Sequence, residues 1–369
     1  MNTEINNKHI GIITINDNTN YGNRLQNYAL TTILSQYGTV DTIRCYANDD
    51  EPNVCIDIRN RFITAIKCCA PGIRGLTGHR ERNFQRFTDE LVPDNRASVS
   101  SHRGLVPKNA HYDCIVVGSD QVWNDRYASA KGLRLRLASF VHDNTTVISY
   151  AASFGVNHVK AESEAAFHEL LPRFSTISVR EDRAVELVKE LGNQHATLVL
   201  DPTLMLTPVQ WRSITSDTVK NDDRFILTYF LGTVTEDQQD IINDYAKRHR
   251  CRVRSIYSYY TFSSDVENYP AGPREFVELF SKAQYVFTDS YHACCFSIIF
   301  NKNFKVFGRN GLSAKDNMNS RMETLFRLFE LGKAFTAPEE ESVIDYAHVN
   351  HLLKEYQKQS AQWLSAALN

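Results

Sequence analysis

Short apolar runs alternate with stretches of helical periodicity along most of this chain, and no other feature constrains its fold as tightly. Residues 10–15, 40–46, 112–117, 147–151, 176–179 and 197–200 read as strands, with helical spacing between most of them. The pattern resumes with strands at 224–231, 252–256, 284–288 and 304–307 and helices at 235–249, 273–282 and 291–300. Strands that alternate with helices pair in parallel, because each crossover returns the chain to the same end of the sheet. The expected fold class is α/β, with two Rossmann-like, doubly wound units facing a cleft. At 369 residues the chain exceeds one ordinary domain, and Asp201-Pro202-Thr203 interrupts the pattern. A boundary is therefore expected within 202–212, giving segments 1–204, 205–345 and an amphipathic C-terminal helix at 346–369.

Composition narrows the function classes. A hydrophobic content of 42% with 23% charged residues is that of a water-soluble globular protein. The formal net charge of −2 gives no reason to expect nucleic acid as a partner. The polar start, Met1-Asn2-Thr3-Glu4-Ile5-Asn6-Asn7, does not read as a secretion signal, and no apolar run is long enough to span a membrane. The eight cysteines form no C-x-x-C pair and several sit inside apolar runs, as expected of free thiols in a reducing compartment. A cytoplasmic protein is the expectation.

Three strand-to-helix junctions carry polar residues where open parallel sheets bind ligands. The first, residues 16–23, contains Gly22 alone and lacks the three-glycine fingerprint of dinucleotide sites. Its amides and hydroxyls suit sugar hydroxyls or a phosphate; a plain turn with an Asn cap is the other reading. The second is Gly118-Ser119-Asp120-Gln121-Val122-Trp123-Asn124. Asp120 there either serves binding or proton transfer or caps the next helix. The third is Thr288-Asp289-Ser290-Tyr291-His292, whose first three residues are of helix-capping type. His292 falls in the first helical turn, where the helix N-terminus favours anions and an imidazole can exchange a proton near neutral pH. A core histidine satisfied by a packing partner is the alternative.

Residues 59–86 differ from their flanks. Seven cations (Arg59, Arg61, Lys67, Arg74, Arg80, Arg82, Arg86) share the segment with Glu81 alone as a countercharge, and Phe62, Ile63, Ile66, Ile73 and Leu76 lie between them. This suits either a membrane-surface or anionic-substrate patch or a solvated helical insert.

Taken in order, several stretches together resemble the polysaccharide pyruvyl transferase family. They are residues 20–30 (Asn-Tyr-Gly-Asn-Arg-Leu-Gln-Asn-Tyr-Ala-Leu), 117–124, 149–155, 178–181, 201–203, 272–276, 288–292 and 319–321. The resemblance implies a GT-B-like pair of Rossmann-type domains and transfer of an enolpyruvate unit from phosphoenolpyruvate to a sugar, with a pyruvate ketal on a capsule or exopolysaccharide hexose as the usual product. Phosphoenolpyruvate is a co-substrate, and neither a metal nor another cofactor is expected. The acceptor would be a sugar or lipid-linked oligosaccharide on the N-terminal side, with the donor on the C-terminal side and peripheral contact with the inner face of the cytoplasmic membrane.

This chemistry assigns His292 as the proton donor and Asp120 as base or acceptor ligand. Tyr21, Gly22, Asn23, Gln121 and Trp123 fall on the acceptor side. Many members of the family carry a basic residue where this chain has Ser290, so the donor phosphate needs another cation. Arg309 and Arg321 are the first candidates, followed by Arg180 and Lys282; Arg180 reads equally as an ion-pair partner. The family's related branch often has Phe-His-Gly where this chain has Tyr291-His292-Ala293, a change that a helical turn tolerates. A nucleotide-sugar glycosyltransferase or a catalytically silent glycan-binding member are the alternatives on the same fold.

Overall fold

The computed structural model describes residues 8–46, 54–92, 96–141, 144–192, 194–219, 224–258, 267–308, 319–332 and 343–369. Eight strands form the first sheet: β1 (Lys8–Ile13), β2 (Gly38–Tyr46), β3 (Ala97–Ser100), β4 (Gly104–Val106), β5 (Cys114–Asp120), β6 (Thr146–Ala152), β7 (Thr176–Val179) and β8 (Ala196–Leu198). Their order is β4-β3-β2-β1-β5-β6-β7-β8, parallel except for the β3–β4 pair. Five further strands, β9 (Phe225–Tyr229), β10 (Arg252–Ile256), β11 (Glu267–Tyr269), β12 (Tyr285–Thr288) and β13 (Asn303–Val306), make a parallel sheet in the order β11-β10-β9-β12-β13. The central strands β5 and β12 are buried along their whole length, as strands covered on both faces must be.

The chain reverses direction across the first sheet between β1 and β5, and across the second between β9 and β12. Loops at such switch points splay apart and leave a crevice at the strands' C-terminal ends. The two crevices are brought together by an apolar seam. Tyr21, at the start of helix Tyr21–Leu34, stacks on Phe276 of helix Pro273–Lys282 with ring centroids 4.6 Å apart, and meets Phe84 at 4.7 Å. Its hydroxyl donates to the Ala271 carbonyl at 2.7 Å. Further along, Trp211 fills the gap between Tyr28 and Phe296. Helix Tyr346–Leu368 ties both sheets from outside. The Tyr346 hydroxyl donates to the Ser297 carbonyl at 3.3 Å, and Ser360 Oγ accepts from the Leu200 amide at 3.0 Å.

The basic stretch folds as a hairpin of helices Val54–Cys68 and Gly72–Leu91. Its charge is more balanced than the segment alone suggests. Arg61 makes a two-pronged pair with Asp89 at 2.9 and 3.0 Å, Lys67 binds Glu81 at 2.7 Å, and Arg86 reaches Glu90 at 3.1 Å. Arg80 is buried over the Phe84 ring. Asp89 and Glu90 lie just past residue 86, which is why they escaped the count of countercharges.

Candidate active site

Both switch points open onto one cavity of about 400 Å³. Asp17, Asn20, Gly22, Asn23, Asp120 and Gln121 line it from the first sheet, Tyr229, Leu231, Ser290, Tyr291 and His292 from the second, and Arg321 from a helix further along the chain.

Beneath the cavity lies a buried charge network. Arg180, at the end of β7, donates through Nη1 to Asp201 Oδ2 at 2.6 Å and through Nη2 to Asp120 Oδ1 at 2.5 Å. Its side chain has no solvent exposure. Asp201 is further held by Thr203, whose amide and hydroxyl donate to Oδ1 at 3.0 and 2.7 Å, and by Ser119 Oγ at 3.2 Å. Asn23 Nδ2 donates to Asp120 Oδ2. Gln26, one helical turn on, accepts from the Ser119 amide at 3.1 Å and donates to Thr14 Oγ1 at 2.8 Å. The polar residues of the helix Tyr21–Leu34 thus fix the tip of β5, where Asp120 sits at φ 68°, a left-handed conformation uncommon for a residue with a side chain. Glu181 performs the same task for the next loop, accepting from Ser153 Oγ and the amides of Phe154 and Gly155.

Burial alone would raise the pKa of Asp120, but Arg180, His292 and Arg321 outweigh it and hold the carboxyl at about 2. Burial likewise opposes ionisation of Asp201, and Arg180 and His292 overcome it, keeping its pKa below the ordinary value. Both groups are therefore carboxylates at neutral pH. A base with a pKa near 2 accepts a proton reluctantly, so Asp120 is better suited to hold a hydroxyl than to deprotonate it. Burial pulls the His292 pKa down, against the opposing pull of Asp201 and Asp120. Its Nε2 is sealed from solvent, has no hydrogen-bond partner among the described residues, and faces Asp201 Oδ2 at 3.8 Å. The other ring nitrogen, Nδ1, lies against Gly22: a Cβ there would stand 2.1 Å from it.

The helix Tyr291–Ile299 begins at the cavity without a side-chain cap. Asp289, expected to cap it, instead accepts from the amides of Leu231 and Gly232 at 2.7 and 2.8 Å, joining the β12 end to the loop after β9. Ser290 faces the cavity at that uncapped end, where an anion would be favoured. Arg321 enters from helix Asn319–Leu328, which is docked on the first sheet's side. The Asp182 amide donates to Thr324 Oγ1 at 3.0 Å, and Arg327 donates to the Asp182 carboxylate at 2.9 and 2.8 Å. Arg321 Nη1 then lies 4.0 Å from Asp120 Oδ1, and its guanidinium lies over the Tyr291 ring.

Of the residues singled out from the sequence, His292, Asp120, Gly22, Asn23, Gln121, Ser290 and Arg321 share the cavity wall. Others stand elsewhere. Tyr21 belongs to the apolar seam. Trp123 is fully buried against Phe154 and Phe174. Lys282 donates to Glu278 and to the Val219 carbonyl, at 2.8 and 2.5 Å. Arg180 lies under the cavity with both terminal nitrogens committed to carboxylates, which leaves it to position other groups rather than clamp a ligand. Arg309 lies outside the described residues. Asp120 caps no helix: β5 runs through it, and the next helix, Ala130–Arg136, is capped by Ser129. Sequence reasoning gave no site role to Asp201, which it met only as the Asp-Pro-Thr break and the family stretch 201–203, nor to Arg136, which also lines the cavity.

Two parallel sheets with facing switch points, an uncapped helix N-terminus, a buried histidine and ion-paired carboxylates define an α/β cleft protein with ionisable groups gathered at the cleft. Residues 20–311 match the polysaccharide pyruvyl transferase family, and the chain belongs to that family of transferases, which act in polysaccharide pyruvylation. Among curated proteins none matches it. Solved structures similar to the chain include the UDP-GlcNAc 2-epimerase of Methanocaldococcus jannaschii, 11% identical with a TM-score of 0.45 over 86% of this chain and 91% of that one. Another is UGT89C1 of Arabidopsis thaliana complexed with UDP-L-rhamnose, 12% identical with a TM-score of 0.48 over 98% and 99%. The glycotransferase of kitacinnamycin is 8% identical, with a TM-score of 0.48 over 98% and 100%.

The contact between Gly22 and His292 yields a test. Gly to Ala in a helix ordinarily gains up to about 1 kcal/mol. Here the added methyl has to displace the imidazole, so Gly22→Ala should instead lose about 1–3 kcal/mol by urea denaturation. Pyruvyl transfer should fall on the order of a hundredfold. Unchanged turnover would show that the ring position beside Gly22 is not the working one.

Proposed function

We propose that the cavity transfers the enolpyruvate unit of phosphoenolpyruvate to two hydroxyls of one hexose in a polysaccharide precursor, forming a pyruvate ketal. The observation that carries this reading is that one cavity gathers two sets of groups: a histidine, an arginine and a helix N-terminus, and Asn, Asp and Gln side chains. The first set suits a small anionic enol phosphate, and the second suits sugar hydroxyls. A space of about 400 Å³ accommodates a three-carbon donor beside one sugar ring.

In this reaction two C–O bonds form at the donor's C2 and the bond to the phosphate oxygen breaks. Of the two hydroxyl protons released, one ends on the methylene carbon, making the methyl group, and the other leaves with phosphate. His292 is the group that gives the first proton and recovers one from a hydroxyl. Asp201, held in place by Arg180 and Thr203, faces Nε2 at 3.8 Å and favours the protonated ring by its charge. Asp120 accepts a hydrogen bond from an acceptor hydroxyl, while Arg321 and the amides at Ser290 hold the donor's anionic groups. A neutral histidine must be protonated before it acts, and the charge of a bound donor favours that protonation.

Incubation with phosphoenolpyruvate and an acceptor should release phosphate, whereas nucleotide sugars should release no nucleotide; the reverse would establish a glycosyltransferase. His292→Asn should cut phosphate release on the order of a hundredfold or more with near wild-type thermal stability. Arg321→Ala should raise the donor's apparent Michaelis constant about 10- to 150-fold. In pH profiles the fall at high pH should come later for kcat than for kcat/KM, because the free enzyme's His292 is depressed by burial and the donor's charge lifts it. An active His292→Asn enzyme would remove the proposed acid.

The helical hairpin supplies a partner reading for the acceptor, and we propose that it rests on the cytoplasmic face of a membrane bearing a lipid-linked acceptor. Ile58, Phe62 and Ile66 recur at every fourth position of one helix with 63%, 67% and 50% exposure, and Ile73 follows at 49%. Exposed Arg59, Arg74 and Arg82 flank them. No helix among the described residues is long and apolar enough to cross a membrane, so contact would be peripheral. The protein should sediment with anionic vesicles, less so at high salt, and the double change Phe62→Asp/Ile66→Asp should abolish it. Equal sedimentation of that variant would sink the membrane contact.

A further inference from the structure

Arg136 takes no part in the network described above. It closes the helix Ala130–Arg136, is 9% exposed, and lines the cavity from the first sheet's side. Two of its guanidinium nitrogens, Nε and Nη1, are sealed from solvent and meet no acceptor among the described residues. The nearby thiol of Cys45 does not supply a counter-anion, because burial pushes it up to about 11 despite the pull of Arg136. Asp120 is close enough to act on Arg136 through space, but its oxygens are already bound by Arg180 and Asn23. Asn16 adds a second donor in this corner: its Oδ1 accepts from the Cys45 amide at 3.1 Å, while its Nδ2 is buried without a partner among the described residues.

Buried polar groups are almost always hydrogen-bonded, and a buried cation without an anion is costlier still. Arginine does not shed its proton to escape that cost. A guanidinium held in this state beside an open cavity is a site whose partner arrives from outside. We propose that Arg136 binds the carboxylate or phosphate of a substrate on the first sheet's side of the cavity. This deepens the pyruvyl-transfer reading, on which the identity of the substrate rests, but the anion site itself does not depend on that reading. Two sources share the chemistry: the second anionic group of the donor held by Arg321, or an acidic or phosphorylated sugar acceptor.

The experiment is a thermal and calorimetric titration of the full chain with phosphoenolpyruvate, a hexose phosphate, a hexuronate and the neutral hexose, repeated on Arg136→Met and Arg136→Lys. Arg136→Met removes an uncompensated buried charge, so without ligand its Tm should equal or exceed that of wild type. At least one anionic ligand should raise the wild-type Tm, the neutral hexose should not, and in Arg136→Met that ligand should bind about 10- to 150-fold more weakly. The ligand affected identifies the source: phosphoenolpyruvate alone marks the donor, the sugar acids mark the acceptor. Arg136→Lys keeps the charge but loses the fork and should fall between. A Tm well below wild type in both variants, with anion binding unchanged, would overturn the proposal and make Arg136 structural. If the anions bind through Arg136 yet no phosphate is released from phosphoenolpyruvate, the anion site stands and the pyruvyl-transfer reading fails.

Discussion

The bridge from Arg180 to Asp120 and Asp201 is the interaction on which the rest of the site depends. It joins the ends of β5 and β7 to the loop after β8, with the Arg180 and Asp201 side chains shut off from bulk solvent. Removing one member would strand the others' charges in the interior, at a cost of about 3–5 kcal/mol. In exchange the two carboxylates have fixed directions. Asp120 turns to the cavity and Asp201 to Nε2 of His292, so that one arginine sets the geometry of residues from both sheets.

That arrangement also explains why the two sheets meet as closely as they do. His292 comes from the second sheet but lies 3.8 Å from Asp201 and against Gly22, both attached to the first. Such a site exists only while the seam of Tyr21, Phe84 and Phe276 holds the sheets at one separation. The helix Asn319–Leu328, pinned on Asp182, and the C-terminal helix, anchored at Tyr346 and Ser360, act to the same end. The fold and the cavity are thus coupled through packing: a shift of the seam would move His292 relative to Asp120 and Asn23.

Much of this was legible in the sequence because strand–helix alternation, junction polarity and helix-start residues are local signals. They located the strands of both sheets apart from the short β3, β4 and β11, and they pointed to Gly22, Asn23, Asp120, Ser290 and His292 as residues at strand ends. What stayed hidden depends on long-range contact. Nothing near Arg180 reveals that two carboxylates, 21 and 60 residues away, occupy both its terminal nitrogens. Asp289 has the composition of a cap, yet the amides after β9 claim it. Trp123 and Tyr21, expected on the acceptor side, have their rings buried in the core and the seam. Arg136 sits in a Leu-Arg-Leu-Arg run that reads as the outer face of a helix, and only the fold turns it inward.

The account rests on one chemical event: a proton delivered to the donor's methylene carbon by His292 as the sugar hydroxyls add to its neighbour. Mass spectrometry of the product formed in deuterium oxide from phosphoenolpyruvate and a hexose acceptor measures this directly. The account predicts one carbon-bound deuterium in each transferred pyruvyl group, retained on return to ordinary water, and loss of that product in His292→Asn. A product with no carbon-bound deuterium, or with an intact methylene group, would contradict it.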